Sequence, residues 1–184
     1  MNASAPDDPI ELPATALVVL IGAAGSGKSA FAALHLPAES VISSDQLRAV
    51  IGRDETDQEV NDAVFERLQH AVDDRLRAAL LTVVDATNTD WMRRSELIRS
   101  ARRHGQPAVA IVFDLPLDVC LSRNSARART VGPSVIRHQV EDVRRDRDRL
   151  DLEGFSSVWV LRSADQVDRV RVRIGRGPVA RAST

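Results

Sequence analysis

Apolar residues fall in short unbroken runs along this chain, and between the runs they recur every third or fourth position. The runs Ala16-Leu17-Val18-Val19-Leu20-Ile21, Val41–Ser43, 81–85, 108–114 and Ser157–Leu161 read as strands buried on both faces, since a strand with a wet face would alternate. The clearest helix covers 57–80, where Val60, Val64, Leu68, Val72, Leu76 and Leu80 lie four apart on one stripe. Another covers 90–104 and stops at Gly105 with arginines in its last turn. Shorter helical stretches fall at 29–36 and 117–123, and a longer one at 133–150 has Pro133 in its first turn. Strands alternating with helices predict an α/β domain over 14–174, a parallel sheet flanked by helices on both faces. Residues 1–13, rich in acids and proline, and 175–184 read as loose ends.

Composition narrows the classes. At 184 residues, 43% apolar and 28% charged, the chain suits one globular domain. A net charge of −1 excludes a whole-molecule field that would recruit nucleic acid or membrane, so any basic site must be local. Cys120 has no partner for an internal disulfide, which predicts a reducing, cytoplasmic setting, and its apolar neighbours Leu117 and Leu121 predict burial rather than catalysis. No run is long enough to span a bilayer, and the N-terminus lacks a basic-then-apolar signal. No internal repeat is present.

Directly after the first apolar run comes "GAAGSGKS", residues 22–29: Gly22, four residues, then Gly27-Lys28-Ser29. This is the P-loop spacing, in its proper place between a strand and a helix. Glycines let backbone amides approach phosphate oxygens, Lys28 can reach the β- and γ-phosphates, and the Ser29 hydroxyl can ligate Mg²⁺. Gly22, Ala23, Ala24, Gly25, Ser26, Gly27, Lys28, Ser29 and Ala30 are therefore expected to hold ATP or another nucleoside triphosphate. Of 25 Lys and Arg, only Lys28 is lysine. The chain keeps a compact ammonium at the one place where a planar guanidinium fits poorly among phosphates.

Acceptor chemistry is expected beyond the carboxyl ends of the strands. The second strand ends in "VISSDQLR", which brings Asp45 to that rim, either as a base for an attacking hydroxyl or as a cap for the next helix. Arg48 lies about one turn on and can face the same cleft, which suggests an anionic acceptor; otherwise it is a solvated surface residue. The third strand ends in "VVDATN", placing Asp85 near the magnesium site, while Thr87 and Asn88 compete between the site and helix capping. Between Arg123 and Arg137 stand four arginines (123, 127, 129 and 137) and no acid. Arg123 and Arg127 would share a helix face, and 124–133 reads as a mobile cationic lid over transferring phosphoryl oxygens, the alternative being an exposed basic surface. The run from Arg144 to Arg149 is balanced by acids and reads as a solvated face.

Taken in order, "GAAGSGKSAFA", "VISSDQLR", "DETDQ", "LTVVDATN", "CLSRNSARART" and "VIRHQ" resemble the 5′-hydroxyl polynucleotide kinase domain of bacterial RNA end-healing enzymes, over residues 17–162. That resemblance implies a P-loop kinase fold with an Arg-rich lid and transfer of the γ-phosphate of ATP, with Mg²⁺, to 5′-OH ends of RNA or DNA. It implies Lys28 and Ser29 on phosphate and magnesium, and Asp45 as general base. Arg48 and Gln58 would hold the acceptor's phosphate, Arg123 and Arg127 would act from the lid, and Val135 would pack on the terminal base. Separate phosphatase and ligase repair enzymes are candidate partners, since those modules are not among these residues. Few aromatics (no Tyr, two Trp, four Phe) argue against a platform stacking many bases. Two rival readings are a small-molecule kinase acting on a sugar, antibiotic or nucleotide-sugar, and a nucleotide-binding module without turnover.

Overall fold

The computed structural model describes residues 9–51, 58–127 and 130–175, and side chains throughout except those of 58–60. Five parallel strands form the main sheet: β2 (Leu17–Gly22), β3 (Val41–Ser43), β4 (Thr82–Asp85), β5 (Ala108–Phe113) and β6 (Ser157–Leu161), in spatial order β3-β4-β2-β5-β6. These are the five runs expected from the sequence. Every residue of β2, β4 and β5 is buried, so the sheet can be covered on both sides only because those strands carry no polar alternation.

Successive side chains point to opposite faces, which splits one apolar run between two cores. Val18, Leu20, Val109, Ile111 and Phe113 pack with α1 (Lys28–His35), α5 (Leu117–Ser125) and α6 (Pro133–Asp146), through Phe31, Cys120, Ile136 and Val140. Leu17, Val19, Ile21, Ala110 and Val112 face α3 (Gln58–Arg77) and α4 (Trp91–Arg103), through Leu68, Val72, Leu76, Leu97 and Ile98. Central β2 hydrogen-bonds to β4 on one side and β5 on the other, so its carboxyl end is where the connections diverge and a crevice opens. A short α2 (Ser44–Ile51) leaves β3 directly at that rim. No helix among the described residues is long and apolar enough to cross a membrane.

Several local expectations are corrected. Residues 10–12, expected in a loose end, form β1 (Ile10–Leu12), which pairs in parallel with β7 (Val172–Ile174). Ile10 and Leu12 point inward and are buried, an alternation too short to register against the prolines around it. The α3 stripe ends at Leu76: Ala79 has φ 52°, the helix stops at Arg77, and Leu80 is exposed. The helix expected over 133–150 stops at Asp146, passes through a 3₁₀ turn at Arg147–Arg149 and resumes as α7 (Leu150–Glu153), before α8 (Ala164–Arg169) follows β6. The acid-balanced run there is anchored rather than simply solvated, because Arg144 and Arg147 both ion-pair with the buried Asp114 and Asp146 pairs with Arg94.

Candidate active site

Residues 22–29 join β2 to α1 as a tight loop. Gly27 is the residue before the helix, with φ 99°, and no side chain caps the amides of the first turn. Those amides are left for an anion at the positive end of α1. At Gly25, φ is 81° and an added Cβ would collide with the backbone carbonyl of Cys120, so only glycine closes the loop against α5. Cys120 itself is buried, and burial pushes its thiol pKa up, as a core residue's would be. The Lys28 ammonium folds onto the loop, donating to the carbonyls of Gly22 (2.8 Å) and Ala23 (2.9 Å). Burial lowers its pKa to about 8, opposed chiefly by the charge of Asp85.

Across the loop lies a cleft of about 880 Å³, its open mouth included. Ala24, Lys28 and Ser29 form one wall, Ser44, Asp45 and Arg48 of α2 another, and Asp85 to Thr87 a third, while Arg127, Val131, Val135 and Gln139 close it from the α5–α6 side. Asp45 is the second residue of α2, inside the first turn rather than ahead of it, so capping does not explain it. Arg48 is half-buried; one guanidinium nitrogen donates to Asn61 at 2.9 Å, and its buried Nε has no hydrogen-bond partner among the described residues. Burial raises the pKa of Asp85, opposed by a hydrogen bond from Ser29 and the charge of Lys28. A buried carboxylate bonded to a serine hydroxyl beside a phosphate-ready loop is a donor set suited to Mg²⁺, so these two residues fit the ion.

The 86–89 loop is held from both ends. Gly22 N–H donates to the Thr87 carbonyl at 2.9 Å, and the Asn88 amide donates to the Leu20 carbonyl at 2.7 Å with Asn88 at φ 50°. Neither residue caps α4: the cap is Asp90, whose carboxylate accepts from Met92 N–H at 2.8 Å. Beneath the loop, Arg94 is 1% exposed and donates to the carbonyls of Asn88 and Thr89 and to Glu153 and Asp146. Neither tether follows from a motif, and Arg94 reads in sequence as one more polar residue of the helix.

Lid geometry differs from the sequence expectation. The α5 helix ends at Ser125, so Arg127 leaves after it and does not share a helical face with Arg123. Arg127 lines the cleft with Lys28 and Asp45 and also borders a neighbouring hollow, where Arg123 lies beside Gly27 with Ala30 and Val167; Arg123 does not reach the cleft. Asn124 is buried and exchanges two 3.0 Å bonds with the backbone of Val131, tying the segment across its own base. Arg129 lies outside the described residues, as does the side chain of Gln58 at the start of α3; Val135 is on the cleft wall and Arg137 is exposed. Gln139 was not legible as a site residue: its side chain accepts from Ala24 N–H at 2.9 Å. Its place one turn after Val135 was the available signal.

The model of a family described as AAA domain matches residues 17–150. Solved structures with the same fold include a chain of the Pnkp1/Rnl/Hen1 RNA repair complex, 21% identical, TM-score 0.64, covering 79% of this chain and 49% of that one. A gluconokinase from Sinorhizobium meliloti 1021 is 18% identical, TM-score 0.56, covering 86% and 88%. A sugar kinase from Janibacter sp. HTCC2649 is 19% identical, TM-score 0.52, covering 84% and 86%. The chain thus spans about half the length of the repair-complex chain that it matches. At these identities the likeness is one of fold. No curated protein sequence matches the chain.

Proposed function

The chain belongs to the AAA domain family and has a P-loop kinase fold, and from that premise we propose that it transfers the γ-phosphate of ATP to the 5′-hydroxyl end of RNA or DNA. The observation that carries this reading is Arg48, a cation one turn from Asp45 in the cleft, with a buried donor nitrogen that no described residue satisfies. A base with an arginine beside it suits an acceptor that is itself anionic, as a strand with a phosphate next to its terminal nucleoside is.

In the proposed mechanism, the amides of Gly25, Gly27, Lys28 and Ser29 and the Lys28 ammonium hold the donor's phosphates. Asp45 accepts the 5′-hydroxyl proton as the acceptor oxygen bonds to the γ-phosphorus and the bridging bond to the β-phosphate breaks. Arg127 meets charge developing on the transferred oxygens from the far side of the cleft, and Arg123 holds the donor beside Gly27. Ser29 and Asp85 would hold Mg²⁺, which supplies neutralisation of phosphate charge when bound.

The test supplies labelled ATP and Mg²⁺ with 5′-OH oligonucleotides, nucleosides and a panel of sugars. Asp45→Asn should lower oligonucleotide phosphorylation by about 10²–10⁴-fold while ATP binding survives. Arg48→Ala should chiefly raise KM for an oligonucleotide, and the defect should shrink on a lone nucleoside that lacks the adjacent phosphate. A sugar phosphorylated faster than any oligonucleotide, or an Arg48→Ala defect equal on nucleoside and strand, would replace this reading with a small-molecule kinase. That rival draws on the gluconokinase and sugar kinase sharing the fold over most of their length.

A further inference from the structure

A second groove lies beside the cleft on the α3–α4 side, about 830 Å³ with its mouth included. Ser44, Arg48, Ala86 and Thr87 line both spaces, so the two adjoin and Arg48 stands at their junction. The groove's apolar floor is Val64 and Leu68, both buried against the sheet. Its far wall is Phe65 and Arg93, with the Arg93 guanidinium carbon 4.7 Å from the Phe65 ring centroid.

Arg93 is held on three sides: Phe65 lies under it, a nitrogen donates to Asp62 at 3.3 Å, and Asp90 lies at 3.9 Å. Two carboxylates compensate its charge, so it is a weak anchor for phosphate, and those acids would repel a phosphate brought to this end. What remains is a planar, oriented surface beside an apolar floor, chemistry suited to the face of a base. Arg48, at the other end of the groove, donates instead to the neutral side chain of Asn61 at 2.9 Å. The charge pattern thus places phosphate at the junction and an uncharged ring beyond it.

We propose that this groove is a second acceptor subsite, taking the base of the penultimate nucleotide against the Arg93–Phe65 pair while Arg48 holds the phosphate between the two nucleosides. The proposal rests on the polynucleotide reading above and goes beyond it by giving the enzyme a two-nucleotide footprint. Stacking is indifferent to base identity, so the subsite adds affinity without sequence preference. One aromatic ring in the groove gives room for one base, so nucleotides beyond the second should add little.

The experiment measures kcat/KM for three acceptors with a free 5′-hydroxyl: a nucleoside 3′-phosphate, a dinucleotide, and the same dinucleotide with an abasic second sugar. The dinucleotide should exceed its abasic counterpart by roughly 5- to 150-fold, the range for one stacked base. Phe65→Ala and Arg93→Gln should each bring that ratio below about threefold, and Phe65→Tyr should retain it. Because both substrates of the ratio share the same first nucleotide, a general loss of activity cancels. Should Phe65→Ala fail to fold, Arg93→Gln decides alone. A wild-type ratio near one overturns the subsite and leaves the polynucleotide reading intact. A normal ratio in both variants assigns the base elsewhere. If neither the nucleoside 3′-phosphate nor the dinucleotide is phosphorylated, the polynucleotide reading fails and the subsite with it.

Discussion

Replacing Arg94 with methionine should lower the melting temperature by about 6–16 °C. The side chain is 1% exposed and makes contacts of 2.8 and 2.6 Å to Glu153, 2.9 Å to Asp146, and 3.0 and 2.9 Å to the carbonyls of Asn88 and Thr89. Methionine approximates the stem's volume, so the loss is electrostatic rather than a cavity. Removing one member of a buried ion pair costs about 3–5 kcal/mol where its partner is left desolvated and unpaired. Here Asp146 keeps Arg145 at 2.8 Å, and Asp146 and Glu153 are 18% and 21% exposed, so water can reach them in part, which argues for the lower half, about 3–4 kcal/mol. In a domain of this size each kcal/mol moves the melting temperature by about 2–4 °C. Thermal unfolding followed by circular dichroism measures it, with Glu153→Gln and the double variant completing a cycle. The double variant should melt above the additive expectation, since it removes one stranded charge. Salt at 1 M should not reproduce the loss in the wild type, because screening acts weakly on a buried group. A fall of less than about 3 °C in Arg94→Met would show that desolvation of the guanidinium already cancels its bonds, and the reasoning would fail.

The lowered Lys28 pKa makes nucleotide binding pH-dependent. Polyphosphate binding favours the charged amine, so above about pH 8 the free protein must first take up a proton. ATP affinity measured by calorimetry should be level from pH 6.5 to 7.5, then fall by a factor approaching ten per pH unit; a flat profile to pH 9.5 would contradict the burial argument. Arg123 and Arg127 share the hollow beside Gly27, but only Arg127 also reaches the cleft wall, which predicts different kinetic signatures. Arg127→Ala, on the cleft wall, should lower kcat by about 10²-fold or more with little change in KM for ATP, as a contact made in the transition state does. Arg123→Ala, beside Gly27, should raise KM for ATP as well, and identical kinetic defects in the two variants would undo that division.

Much of this protein was legible in the sequence because it rests on neighbouring residues. An unbroken apolar run can be satisfied only between two layers, so five strands followed from composition over three to seven positions, and the burial of Val64, Leu68, Val72 and Leu76 followed from one helical period. The P-loop motif was equally local: glycines at fixed offsets and one lysine mark the cradle within eight residues. The rim position of Asp45 came from knowing which end of a strand it followed.

Tertiary structure decided everything that depends on which strands are neighbours. With β4 beside β2, Thr87 meets Gly22 and Asn88 reaches Leu20, 68 positions away, and no local pattern distinguishes that asparagine from a helix cap. The same packing turns Arg94 from a polar helix residue into a buried tether, brings Gln139 to Ala24 across 115 positions, and lets β1 find β7. It also takes Arg127 off the helical face of Arg123, since α5 ends at Ser125, where Asn124 closes on Val131. Hydrophobic periodicity records which residues must leave water. The partner of a buried polar group is set by the order in which the strands pack.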